Sequence, residues 1–127
     1  YISGQGPLND NGQLIVGKVG KDLNLDQAYD AARRVGISIL SIIKNEIGFD
    51  NVFKIVKILG LVNCTQDFYL QPKVINGCSD LLVEYLGEEK GMHARSALGA
   101  YVLPNNIPAQ IEVILELKNK SKLNQPV

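Results

Sequence analysis

The chain is short of the groups from which many catalytic sites are built. Among its 127 residues there is one histidine, His93, two cysteines and no tryptophan, and aromatic residues make up 6%. A single histidine excludes the paired-histidine acid–base chemistry that cleaves RNA. Cys64 and Cys78 fit neither a C-x-x-C motif nor zinc-ligand spacing, so no metal is expected and both are read as buried free thiols. Neither charge sign is in excess, with 13 Lys plus Arg against 13 Asp plus Glu. Such a chain creates no field that gathers polyanions, and it has few rings on which bases could stack, so nucleic acid is not the expected partner. No apolar run approaches the ~20 residues of a membrane span, and no secretory core is present. A soluble, cytoplasmic protein with no membrane partner and no cofactor is expected.

What is present is a globular composition, 46% hydrophobic and 20% charged, in a length that suits one core. One domain is expected over 1–117, with a polar tail over 118–127 that frays. The chain opens at Tyr1 in mid-pattern, so a short upstream segment is expected. Tyr1–Gln5 reads as a strand. Asn11-Gly12 is a two-residue hairpin signal, with Leu14–Val16 as the return strand. Asn24 and Gln27 form a capping-box pair ahead of Ala28, Ala32, Val35, Ile39, Ile42 and Ile43 at helical spacing, with Gly48 as the stop. Val52–Val62 is apolar on both alternating faces and reads as a central strand, with Ile58 on one face and Ile55 and Lys57 on the other. A lysine buried there needs a carboxylate. Pro72 opens a second helix that runs to about Leu86, and Glu88–Gly91 is a solvated loop. Two strands close the domain, one from Arg95 to Leu103 and one from Gln110 to Leu117.

The order ββαβαββ places two helices on one face of a mixed sheet, an α+β layer. In the last strand Ile111, Val113, Leu115 and Leu117 face the helices, and Gln110, Glu112, Ile114 and Glu116 face away. The strand before it is read with Leu98, Ala100 and Val102 inward and Arg95, Ala97, Gly99 and Tyr101 on the far face. Two helices cannot cover that second, partly apolar face, so self-association is expected.

Several short spellings, in order, point to one family. Ser3-Gly4-Gln5-Gly6-Pro7, Val62-Asn63, Arg95-Ser96-Ala97, Leu103-Pro104 and Ile111-Glu112 make the chain similar to the RidA family, also called YjgF or endoribonuclease L-PSP. Gln71-Pro72, Asn76-Gly77, Ser79–Leu82 and His93–Ser96 resemble one branch of it. The resemblance implies a chorismate-mutase-like fold, a homotrimer closed around a central barrel, and a small-molecule cleft at each subunit interface. It further implies hydrolysis of reactive enamines or imines to 2-keto acids and ammonia, with an endoribonuclease activity attached to some members.

The resemblance also assigns residues. Arg95 matches the arginine that clamps the substrate carboxylate, a role that suits a planar, permanently charged fork. The alternative for Arg95 is an ion pair with Glu112 or Glu116. Gly4 matches a glycine whose backbone lines the cleft, and Asn76 a cleft asparagine. Gln110 falls where the deaminases carry the carboxylate that orients the attacking water, and Glu112 is retained. A glutamine can position water but cannot take its proton. Ala97 stands where a cysteine is frequent, and the family's upstream tyrosine has no counterpart. His93, just ahead of the Arg95 strand, is read as a hydrogen-bonding residue at the cleft rim rather than an acid or base. Three readings follow: an imine hydrolase using Arg95, Gln110 and Glu112; a non-catalytic trimer that binds a small carboxylate; and an endoribonuclease.

Overall fold

A computed structural model of the chain describes residues 1–118. The rest of the expected polar tail lies outside the described residues. The elements run β1 (Ile2–Gln5), α1 (Leu25–Ile42), β2 (Val52–Asn63), α2 (Gln71–Leu86), α3 (Glu88–Gly91), β3 (Ala94–Ala100) and β4 (Ala109–Leu117). The strands form one mixed sheet in the order β1-β4-β2-β3, with β2 and β3 parallel and the other pairs antiparallel. This is the expected α+β layer. Among the described residues no helix is long and apolar enough to cross a membrane.

α1 starts where its sequence says it should. The Asn24 side chain accepts from the Gln27 backbone N–H at 2.9 Å, and the Gln27 side chain accepts from the Asn24 N–H at 2.9 Å. Such a cap contributes about 1 kcal/mol. The helix ends in a π turn over Ile43–Ile47, and Gly48 stops it with φ 87°. Ala28, Ala32, Val35, Ile39 and Ile43 on its buried stripe share one core with Ile55, Ile58 and Val62 of β2 and Ile111 and Val113 of β4. α2 adds Val74, Ile75, Cys78 and Leu82. α1 and α2 meet closely because Gly77 has no side chain; a Cβ there would overlap the Tyr29 carbonyl. Both cysteines are buried and free, as expected.

Four local expectations need correction. Leu14–Val16 is not a strand: Leu14 makes one isolated bridge, to Leu8. Asn9 ties that turn instead, its side chain accepting from the N–H groups of Asn11 and Gln13, and the Gly17 N–H then turns to Asn106. Glu88–Gly91 forms a single helical turn rather than a loop. In β2 the pairing with β4 shifts twice, between Val52 and Lys54 and between Ile55 and Lys57. Each extra residue advances the strand by half a pleat, so Val52, Ile55 and Ile58 all reach the core at a spacing of three. Val56 and Lys57 are left exposed, and Lys57 needs no buried carboxylate.

The fourth correction decides where the site lies. β3 has the opposite phase to the one its hydrophobicity implies. Arg95, Ala97 and Gly99 pair with Ile58, Gly60 and Val62 of β2. Paired residues point to the same side of a sheet, and Ile58, Gly60 and Val62 are buried under the helices. Leu98 therefore faces away from them and is 53% exposed. The reason is room. β3 lies under the start of α2, and a Cβ at Gly99 would meet Gln71 Nε2 at 2.9 Å and Cys64 Sγ at 3.1 Å. At that end of the strand only a small residue fits beneath the helix. In β4 the expected phase holds, with Ile111 and Val113 buried and Glu112 and Ile114 exposed.

Candidate functional site

The site grows from a stripe on α2. Pro72, Asn76 and Ser79 are spaced by four and three residues, so they lie on one side of that helix. Arg95 on β3 points up at them. Its Nη1 donates to Ser79 Oγ at 2.9 Å, and its Nη2 donates to Asn76 Oδ1 at 2.7 Å and to the Pro72 carbonyl at 3.3 Å. All three acceptors are neutral. Among the described residues Arg95 has no ion pair. A half-buried guanidinium that donates three bonds and meets no anion retains both its charge and part of its five-donor fork.

His93 completes the cluster. Its Nε2 lies 2.9 Å from Ser79 Oγ, and its Nδ1 lies 2.5 Å from the Gly91 carbonyl. Burial pushes the imidazole below its ordinary value of 6.5; the Gly91 carbonyl pulls the other way, and the Arg95 charge adds to the lowering. Neutral imidazole is therefore the form that fits. The consequence for stability has a definite sign. Below pH 6.5 the unfolded chain takes up a proton that the folded chain resists, so stability is lost as pH falls through the window from 6.5 down to the lowered folded value. Thermal unfolding is expected to give a falling midpoint between pH 7 and pH 5, with a shallower fall in His93→Gln. Identical profiles for the two proteins would show that His93 does not feel this environment.

The remaining candidates lie on the other side of the sheet. A Cβ placed on Gly4 would sit 2.5 Å from the Gln110 amide nitrogen, so Gly4 and Gln110 are brought together. In register, Gln110 shares a row with Leu61 and Leu98, and Glu112 shares one with Leu59 and Ser96. These rows face away from the helices. The candidates thus form two groups, Arg95 with Asn76 on the helix side and Gly4, Gln110 and Glu112 on the open side. The expectation that Arg95 shares the face of Gln110 and Glu112 is overturned by the phase of β3, and the alternative of an ion pair with Glu112 or Glu116 is not formed within the chain among the described residues. Ser79 was missed as a site residue; its place on the Asn76 stripe, three residues on, was the available signal.

Two other features frame the site. Beside the start of α2, a cleft of about 460 Å³ is lined by Cys64, Thr65, Phe68, Tyr69, Gln71, Gly99 and Tyr101. At the same end of the sheet, Asn63 is fully buried. Its Nδ2 donates to Asn106 Oδ1 at 3.0 Å and to the Ile107 carbonyl at 3.1 Å, and its Oδ1 accepts from Lys18 Nζ at 2.7 Å. Lys18 Nζ also donates to the Tyr101 carbonyl and lies 4.9 Å from the centre of the Tyr101 ring. Among the described residues no group of three or more His, Cys, Asp and Glu could hold a metal ion.

Comparison with known proteins covers the same ground. A family model described as "YjgF/chorismate mutase-like, putative endoribonuclease" matches residues 1–117. Protein TCP17 of Trypanosoma cruzi is 36% identical over 120 residues, which are 94% of this chain and 75% of that protein. Among solved structures, Atu1372 of Agrobacterium tumefaciens, of unknown function, is 36% identical with a TM-score of 0.87, over 92% of this chain and 76% of the other. A "putative endoribonuclease" of Shewanella oneidensis is 31% identical with a TM-score of 0.84, over 91% and 76% of the two chains. Fold, family model and relatives agree: the chain belongs to the YjgF/chorismate mutase-like family, the Rid family to which its Arg95-Ser96-Ala97 and Val62-Asn63 spellings point.

Proposed function

We propose that the chain is a Rid-type hydrolase of small 2-imino or 2-enamino acids, which it converts to 2-keto acids and ammonia. The observation that carries the reading is Arg95, a half-buried guanidinium held by three neutral oxygens with no carboxylate partner among the described residues. The substrate's own carboxylate supplies the missing anion through charge-assisted bonds. C2, the carbon attacked by water, is then one bond from the clamped group. The open face of the sheet belongs to the same reading. Leu98, Ile114 and Val56 are exposed there, and the family's homotrimer covers such a face with its equivalents in other copies.

A second reading, binding without turnover, is favoured by one observation. Gln110 is neutral, and it lies with Glu112 on the face opposite Arg95. RNA cleavage, the activity named for the Shewanella relative, is disfavoured by the single histidine and the balanced charge.

The readings separate in one assay. The protein is added to a threonine dehydratase reaction in which semicarbazide competes for the released imine. Faster 2-keto acid formation, in proportion to protein added, is the expected result. No acceleration, with a small 2-keto acid still bound in calorimetry, would leave only the binding reading. Sedimentation at the mass of a monomer would remove the interfacial cleft from either.

A further inference from the structure

We propose that Ser79 and His93 form the proton relay that activates the hydrolytic water in this chain, Ser79 touching the water and His93 standing behind it as the base. The inference rests on the imine-hydrolase reading above and supplies the proton acceptor that Gln110 cannot be.

The hydrogen bonds have one consistent direction. The Gly91 carbonyl can only accept, so His93 Nδ1, 2.5 Å away, carries the ring proton. Nε2 of the neutral ring is then a bare acceptor, 2.9 Å from Ser79 Oγ. Arg95 Nη1 can only donate, and it does so to the same Oγ at 2.9 Å. Ser79 therefore accepts from Arg95 and aims its own hydrogen at His93. Guanidinium, hydroxyl, imidazole and carbonyl stand in sequence, with the base oriented by a third group as general-base catalysis requires.

The step balances without any co-reactant but water. Water bonded to Ser79 Oγ passes it a proton as Ser79 passes its own to Nε2. The water oxygen forms a bond to C2, and the electron pair of the C=N double bond moves to nitrogen, giving a carbinolamine. The imidazolium returns the proton through Ser79 to the amino nitrogen. The C–N bond then breaks with its electron pair going to nitrogen, while the hydroxyl oxygen becomes the keto oxygen and its proton passes through the relay to that nitrogen, which leaves as ammonia and restores neutral His93.

The charges around His93 suit a base that strengthens when substrate arrives. From β3, Arg95 opposes its protonation. From α2, the Cys78 thiol is pushed up by burial to about 12 and is neutral, and Asp80 is engaged by the Tyr29 hydroxyl at 2.7 Å. A carboxylate on Arg95 cancels the one positive charge that bears on the imidazole.

The test uses the full chain with imine generated in situ, kcat measured from pH 5 to pH 8, and 2-ketobutyrate affinity from calorimetry. Ser79→Ala and His93→Gln are expected to lower kcat by about 100-fold while the 2-ketobutyrate Kd stays within about 3-fold. Ser79→Thr, which keeps the hydroxyl, is expected to restore most of the rate. Wild-type kcat is expected to fall on the acid side, and the His93→Gln profile to be flat there. If wild type is active and both variants keep its kcat, the relay is overturned and the hydrolase reading stands. If kcat and affinity fall together and Ser79→Thr rescues neither, the pair only braces Arg95, and the relay is again overturned. A wild-type protein that binds 2-ketobutyrate and hydrolyses no imine ends both proposals, and that failure is visible before any variant is made.

Discussion

Replacing Arg95 with alanine is expected to weaken the binding of a small 2-keto acid by about 100-fold, close to 2.7 kcal/mol, with little change in folding stability. The large effect comes from charge and shape together. The guanidinium is the only cation in its cluster of Asn76, Ser79, His93 and Pro72, and charge-assisted bonds to a carboxylate are worth roughly 1.5–3 kcal/mol each. The small effect on stability follows from what is left behind. Ser79, Asn76 and Arg95 are all partly exposed, so water replaces the lost donor. Arg95→Lys is expected to fall between, losing about 10-fold, because an ammonium keeps the charge without the planar fork. Calorimetry with 2-ketobutyrate checks both variants. Unchanged affinity in Arg95→Ala would place the ligand elsewhere, with the cleft beside Gln71 and Tyr101 the next place to look.

Asn63→Ala is expected to cost about 3 kcal/mol of folding stability, seen as a fall of roughly 10–15 °C in Tm. Asn63 is fully buried and lies at the end of the central strand. Its amide joins three segments that are remote in sequence: Lys18, the β2 terminus and the 106–107 turn. Its backbone does the same, accepting from the Val19 N–H at 2.8 Å and donating to the Pro108 carbonyl at 2.9 Å. Truncation keeps the backbone bonds and removes the side-chain ones. The Ile107 carbonyl and Asn106 Oδ1 then lose their donor, at about 1–3 kcal/mol for a group left buried and unpaired, and Lys18 loses one of its two acceptors while keeping the Tyr101 carbonyl. Thermal unfolding followed by circular dichroism measures the cost. A change below about 1 kcal/mol would mean that water reaches this junction and serves as well as the amide.

The sequence was most legible where a local rule has no competitor. Asn24 with Gln27, the small-to-large stripe of α1 and the Gly48 stop specify one helix, and that helix forms. It was less legible where packing sets the phase. The two irregularities in β2 are answers to the partner strand, and nothing in the run from Val52 to Val62 marks them. In β3, alternation was read from hydrophobicity, which placed Leu98 inside. The approach of α2 over Gly99 settles the matter the other way, and only the three-dimensional register contains that fact. The site inherits this split. Arg95 and Asn76 could be named from sequence and do meet. Gln110, Glu112 and Gly4 could be named too, but they lie through the sheet from them. Ser79 went unnamed as a site residue because its place on the Asn76 stripe gains meaning only once its neighbour across the layer is known.

The position of β3 in the sheet has a consequence for ligand binding. β3 is an edge strand, paired to β2 on one side only, and α2 is the element that holds it down. Edge elements open first in the local fluctuations of a folded chain. The Arg95 bonds to Asn76, Ser79 and Pro72 span the seam between β3 and α2, along which such an opening runs. A carboxylate that engages the same guanidinium favours the closed seam over the open one. Occupancy is thereby linked to local order, and the affinity of the site includes whatever the edge must give up in freedom to stay shut.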